Sequence, residues 1–155
     1  VPIFFLTHKA RIPYTPAHWK QVLITTTPAL SRNGIVGVGT SEKFYAKIQH
    51  NDHSIAILAY TAITDYKNDA NIRLWDPVLC TEEISRMSRE ADYTIVLMHW
   101  GSEFISEPSL QQVMMGPSII DARANLVSGL SSARSAIGRE IQKWDDSLQH
   151  GQLHF

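Results

Sequence analysis

The chain has 155 residues, 44% of them hydrophobic, with 14 basic against 15 acidic side chains and a formal net charge of −1. A chain of this size buries about 68–70% of its unfolded surface as one domain, and its balanced charge gives no field to draw in nucleic acid or an anionic membrane. A single cysteine, Cys80, excludes an internal disulfide framework and a cysteine-based zinc site, and apolar runs such as Ile95 to Met98 fall far short of the ~20 residues of a membrane span.

In chain order, Val1 to Leu6 reads as a short apolar strand without the basic start and long apolar core of a signal peptide. A soluble chain is expected, and its abrupt opening would suit an excised or truncated piece. Thr15 as N-cap with Pro16 behind it starts a helix that Pro28 should end or kink. "NGIVGVGTSE" supplies a turn, a short strand and a loop, and its glycines do not have the order of a dinucleotide fingerprint. Two β-rich runs around Asn51 and Asp52 predict a hairpin flanked by His50 and His53, whose place at a turn makes them solvated. Residues 62–79 show no sustained period and read as a long connection. Thr81, followed by Glu82 and Glu83, predicts a helix start, with the helix running to about Glu90. A strand over 93–98 follows. Ser109 with Gln112 three residues on forms a capping box for a helix towards Ala122, and "ANLVSG" is a further strand. From Ser131, apolar residues at Ala133, Ile137, Ile141, Trp144 and Leu148 predict a helix over 132–149, closed by Gly151. Strands alternating with helices predict an α/β layered fold, taken as one domain over 1–155 with a helical C-terminal segment.

Chemistry in open α/β sheets collects beyond the carboxyl ends of strands. His99 stands at such an end and is a candidate metal ligand; Gly101 behind it would let a ligand approach the backbone. One imidazole cannot hold a metal or lower the pKa of its water, so partners must converge from other strands. His8, after the first strand, is the best second ligand; His18, His150 and His154 read as surface residues. "SGLSSARSA" with Arg134 could hold an anion at a helix start, although ordinary serine capping explains the same letters. Ser102, Ser131 and Ser132 have no identifiable His–Asp partnership and no G-x-S-x-G elbow, which excludes the usual serine hydrolase pattern.

The stretch from "ADYTIVLMHWGSEF" to "IIDARANLVSG" resembles the core of the bacterial capsule-biosynthesis CapA/PgsA family, the poly-γ-glutamate synthesis domain, within the calcineurin-like metallophosphoesterase superfamily. The residues that carry the resemblance are His99, Trp100, Gly101, Glu103, Phe104, Pro108, Gln112, Ile119, Ile120, Asp121, Ala122, Ala124, Leu126, Val127 and Gly129, in one ungapped register. It covers about residues 30–130. The resemblance implies a layered metallophosphoesterase-like fold, here incomplete or degenerate, and a divalent metal such as Mn or Zn. It also implies a place at the cell envelope, outside the cytoplasm. Several of the implied metal-binding groups are missing. The family's His-x-His pair falls on Ser131 and Ala133, its Asn-His signature has no counterpart in "LTHKARIPYTP", and its first carboxylate would precede Val1. Arg123 and Asn125 stand where the pattern has Gly and Asp.

Three readings follow. A non-catalytic binding module would engage an anionic polymer or capsule-assembly proteins through Trp100, Gly101, Glu103 and Arg134. A residual metal-dependent phosphoesterase would need His8 and Glu103 to complete a site around His99. A structural α/β domain would bind nothing.

Overall fold

The computed structural model describes residues 2–5, 25–63, 71–101 and 107–130. Among these, β1 (Ile3–Phe5) pairs in parallel with β2 (Val36–Val38), Ile3 opposite Val36. A second sheet has the order β3-β4-β5-β6. Its edge strand β3 (Tyr45–His50) is antiparallel to β4 (His53–Thr61), and β5 (Tyr93–His99) and β6 (Leu126–Leu130) continue in parallel. The fold is α/β, as the alternation of patterns predicts.

The parallel strands need crossovers, and two helices supply them. α2 (Pro77–Glu90) joins β4 to β5 and α3 (Leu110–Asp121) joins β5 to β6; an earlier helix, α1, occupies 25–32. Side chains alternate across a strand, and the two faces of β4 and β5 accordingly bury different partners. Ala56, Leu58, Tyr60, Val96 and Met98 join Cys80, Ile84 and Met87 of α2 and Ile119 of α3 in the main core. Ala59 and Leu97, out of phase with these, pack with Ile3, Phe5, Val36 and Val38 of the small sheet. β4 is therefore covered on both sides, which explains why "IAILAYT" is a nearly unbroken apolar run.

The hairpin forms where predicted, with His50 opposite His53, both exposed, and Asn51 at φ +52. The capping box of α3 is complete: Ser109 Oγ accepts from the Gln112 backbone N–H, and Gln112 Oε1 accepts from the Ser109 N–H at 2.9 Å. The β5 expectation holds to within one residue, and β6 begins two residues later than "ANLVSG" and ends one residue beyond it.

Two expectations are corrected. α2 begins at Pro77, four residues before Thr81, which shortens the expected connection. Asp76 is the N-cap, its Oδ1 accepting from Val78 N at 3.0 Å and Leu79 N at 2.8 Å, with Pro77 at the first helical position where no N–H is needed. Thr81, inside the helix, turns its hydroxyl back to donate to the Pro77 carbonyl at 2.6 Å. Pro28 does not end α1, which continues to residue 32. Termination comes at Asn33–Gly34: Gly34 takes φ +69, its N–H donates to the Ser31 carbonyl and the Ile35 N–H to the Leu30 carbonyl, both at 3.0 Å. The helix starts expected at Thr15 and across 132–149 lie outside the described residues.

Candidate functional site

The carboxyl ends of β4 and β5 finish side by side, with Thr61 in register with His99. The Ala62 N–H donates to the His99 carbonyl at 2.8 Å, so the two ends are tied by backbone as well as by side chains. Beyond the reach of β3, the open edge of β4 is taken by a short stretch around Leu74. Thr61 N donates to the Arg73 carbonyl at 3.0 Å and Trp75 N to the Thr61 carbonyl at 2.7 Å. Thr61 is thus enclosed between Leu74 and His99.

His99 is 3% exposed. Its Nδ1 lies 3.3 Å from Thr61 Oγ1. Trp100 is 4% exposed and belongs to the main core, so its ring packs with Tyr60 and Met98's cluster and offers no open stacking surface. Its indole Nε1 is buried without a hydrogen-bond partner among the described residues. Gly101 takes φ +84, and a Cβ there would stand 2.9 Å from Gln112 Nε2. The space above Gly101 that the sequence suggests for a ligand is filled by the side chain of Gln112, which is buried and caps α3. His8, Glu103 and Arg134 lie outside the described residues, as do Ser131 and Ala133.

A second cluster adjoins this end and escaped the sequence reading. The Tyr60 hydroxyl donates to Glu83 Oε2 at 3.0 Å, and Arg73 forms an ion pair with Oε1 of the same carboxylate. The Arg73 guanidinium lies 5.0 Å from the centre of the Phe44 ring, and Trp75 meets Tyr60 edge-on at 5.6 Å. Burial, then the Glu83 charge, push the Tyr60 hydroxyl far above its ordinary pKa. This phenol stays protonated and acts as a donor that holds α2 to β4. A tyrosine inside an apolar strand was the available signal, because a buried phenol needs a partner; which partner depends on the packing of α2.

Among the described residues, no three His, Cys, Asp or Glu side chains come together as a metal site. The Thr61 hydroxyl at His99 Nδ1 is not by itself a ligand set for a divalent metal.

The family model of the bacterial capsule synthesis protein PGA_cap matches residues 19–134. The chain belongs to this family. The match runs from before α1 to just beyond β6, and so includes both ends that form the site. Within the capsule synthesis family, the chain is similar to the PGA biosynthesis protein CapA of Bacillus subtilis (strain 168), with 29% identity over 104 aligned positions. That alignment covers 61% of this chain and 27% of the relative, so the chain spans about a quarter of the curated protein it matches. No helix among the described residues is long and apolar enough to cross a membrane.

Two family-pattern departures have structural readings. Arg123, where the resemblance has Gly, takes φ +74. Asn125, where it has Asp, accepts from Thr94 N through Oδ1 at 2.7 Å while its own N–H donates to the Thr94 carbonyl at 2.8 Å. A carboxylate would accept that bond equally well, so the change to Asn keeps the clamp between β5 and β6.

Proposed function

We propose that this chain is a non-catalytic module of capsule assembly that binds an anionic polymer, poly-γ-glutamate, near the carboxyl ends of β4, β5 and β6. The observation that carries this reading is the ligand set. Of the histidines that the resemblance implies, His99 is retained, Ser131 and Ala133 occupy the positions of the His-x-His pair, and the Asn-His signature has no counterpart in "LTHKARIPYTP". In this reading Arg134, four residues past the end of β6 and an anion-binding candidate in the sequence, is the cation for polymer carboxylates. Trp100 supports the site from the core. The place of action under this reading is the cell envelope, and capsule-assembly proteins are the other partners.

The test is a calorimetric titration of the metal-stripped chain with poly-γ-glutamate, and separately with Mn²⁺ and Zn²⁺, repeated on His99→Gln and Arg134→Glu. Polymer binding that weakens in Arg134→Glu and needs no metal supports the module. Stoichiometric metal binding lost in His99→Gln, with phosphoester hydrolysis restored by the metal, would replace it by a residual phosphoesterase using His8 or Glu103. Absence of both would leave a structural domain.

A further inference from the structure

The turn that closes α1 carries a chemistry of its own. Asn33 is followed by Gly34, and of the chain's five asparagines it is the one with glycine behind it; the others precede Asp52, Asp69, Ile72 and Leu126. An asparagine amide is open to attack by the backbone nitrogen of the next residue, and a glycine there has no side chain to bar the approach. Both residues are exposed, so water reaches them. The fold nevertheless engages both reacting groups. The Gly34 N–H donates to the Ser31 carbonyl at 3.0 Å, and the Asn33 side-chain amide donates through Nδ2 to the Ala29 carbonyl at 2.8 Å. The Ile35 N–H completes the turn on the Leu30 carbonyl, and the Val36 N–H then donates to the Pro2 carbonyl at 3.0 Å, where β2 joins β1. Nucleophile and electrophile are thus held on different helix carbonyls, and attack requires the last turn of α1 to open.

We propose that Asn33–Gly34 is a deamidation site locked by the C-terminal turn of α1. On opening, the Gly34 nitrogen gives its proton to solvent base and bonds to Asn33 Cγ. The Cγ–Nδ2 bond breaks, and ammonia leaves with a proton taken from water, so that a succinimide ring remains. Water then opens the ring at either carbonyl and leaves aspartate or isoaspartate at position 33; no oxidant or reductant takes part. Refolding does not reverse the change. The new carboxylate has no N–H for the Ala29 carbonyl, and its charge lies at the negative end of the helix dipole. Isoaspartate also lengthens the backbone by a methylene just ahead of β2, whose Val36 and Val38 pack with Ala59 and Leu97 behind the main sheet.

The test incubates the full chain at pH 8, native and unfolded in urea, and follows it by peptide mass spectrometry. Trypsin releases residues 33–43, in which Asn33 is the one side-chain amide. The mass gain of an amide turned acid in that peptide therefore reports this site, and labelling by an isoaspartyl methyltransferase reports the isoaspartate share. Asn33 is expected to convert first among the asparagines of the unfolded chain. The native chain should convert about tenfold or more slowly, because both hydrogen bonds must break first. Equal rates in the two states overturn the lock, and another asparagine converting ahead of Asn33 in urea overturns the choice of site. Gly34→Ala, whose added Cβ meets no atom within 4 Å, should slow conversion of the unfolded chain; an unchanged rate overturns the route through the Gly34 nitrogen. Chain converted at Asn33 should show a lower urea midpoint than fresh chain, and an equal midpoint overturns the effect on α1. None of these readouts involves polymer or metal, so their outcome is independent of the binding reading.

Discussion

Arg123 closes α3 in a conformation made for glycine. With Ala122 as C-cap, its N–H donates to the Ile120 carbonyl at 2.8 Å and the next N–H, of Ala124, to the Ile119 carbonyl at 3.3 Å. This is the arrangement by which Gly34 closes α1, but here a side chain sits at φ +74. The left-handed region costs a non-glycine residue about 1–2 kcal/mol, while glycine loses about 0.4–1 kcal/mol through its freer unfolded chain. Arg123→Gly is therefore expected to stabilise the protein by about 0.5–1 kcal/mol, read as a higher urea midpoint at unchanged slope; a lower midpoint would mean that the arginine makes compensating contacts. Gly101 presents the opposite case. Its φ of +84 and the 2.9 Å approach of Gln112 Nε2 to a Cβ make Gly101→Ala strained twice over, with an expected loss of about 1–3 kcal/mol. An unchanged midpoint would show that Gln112 moves aside freely. The capping box was legible in the sequence, whereas Gly101 reads there as room for a ligand and not as room for Gln112. That the two meet in one contact was not legible, because the loop between them brings residues 101 and 112 together only when α3 packs on the sheet.

At the scale of elements, matching clamps start the two parallel pairings. Asp92 Oδ2 accepts from Ser54 N at 2.7 Å and from Ser54 Oγ at 2.8 Å, and the Asp92 N–H returns a bond to the Ser54 carbonyl at 3.0 Å. Asn125 does the corresponding work on Thr94 at the β5–β6 junction. The Ser54 N–H first, then its hydroxyl, hold the Asp92 carboxyl below its ordinary range. A carboxyl depressed in the folded state stabilises above its unfolded pKa, near 3.9, and loses that contribution as pH falls through the folded value. Stability should therefore decline below about pH 4, and Asp92→Asn should flatten that part of the decline. Parallel acid profiles for the two proteins, measured by urea midpoints from pH 6 to pH 2.5, would remove Asp92 from the account. Helix termini show the complementary lesson. Proline was expected to end or kink α1 at Pro28, yet helix continues beyond it, and Pro117 lies inside α3. An interior proline costs about 3 kcal/mol; in α3 the burial of Ile119 beyond it and the closing turn at Ala122–Ala124 offset that cost.

For the whole molecule, Cys80 reports whether α2 and the sheet separate as one unit. It is fully buried between them, and burial pushes its thiol up to about 12. Alkylation at pH 8 should be negligible in the folded chain and should rise with urea in step with the loss of helical signal. Rapid labelling without loss of that signal would mean that α2 lifts from β4 and β5 by itself, and that the Tyr60–Glu83–Arg73 network does not hold it. The network matters to the proposed function, because Arg73 and Trp75 also flank Thr61 at the end of β4.

The sequence by itself determined the features whose physics is local. The hairpin at Asn51, the Ser109 capping box, the apolar runs of β4 and β5 and the family resemblance all depend on residues a few positions apart or on one strand's period. Asp76–Pro77 belongs with them: its capping chemistry is equally local, and it outranks the Thr81 start because an aspartate followed by proline satisfies the first free N–H groups directly. Only the tertiary structure decided that Trp100 is a core residue, that Gln112 fills the space over Gly101, and that the Thr61 hydroxyl meets His99. Thr61 and His99 are 38 positions apart, and Tyr60 and Glu83 are 23 apart. Such pairs are set by strand register and by the seating of a helix on a sheet. A shift of one residue in either would replace every partner while leaving the local patterns unchanged.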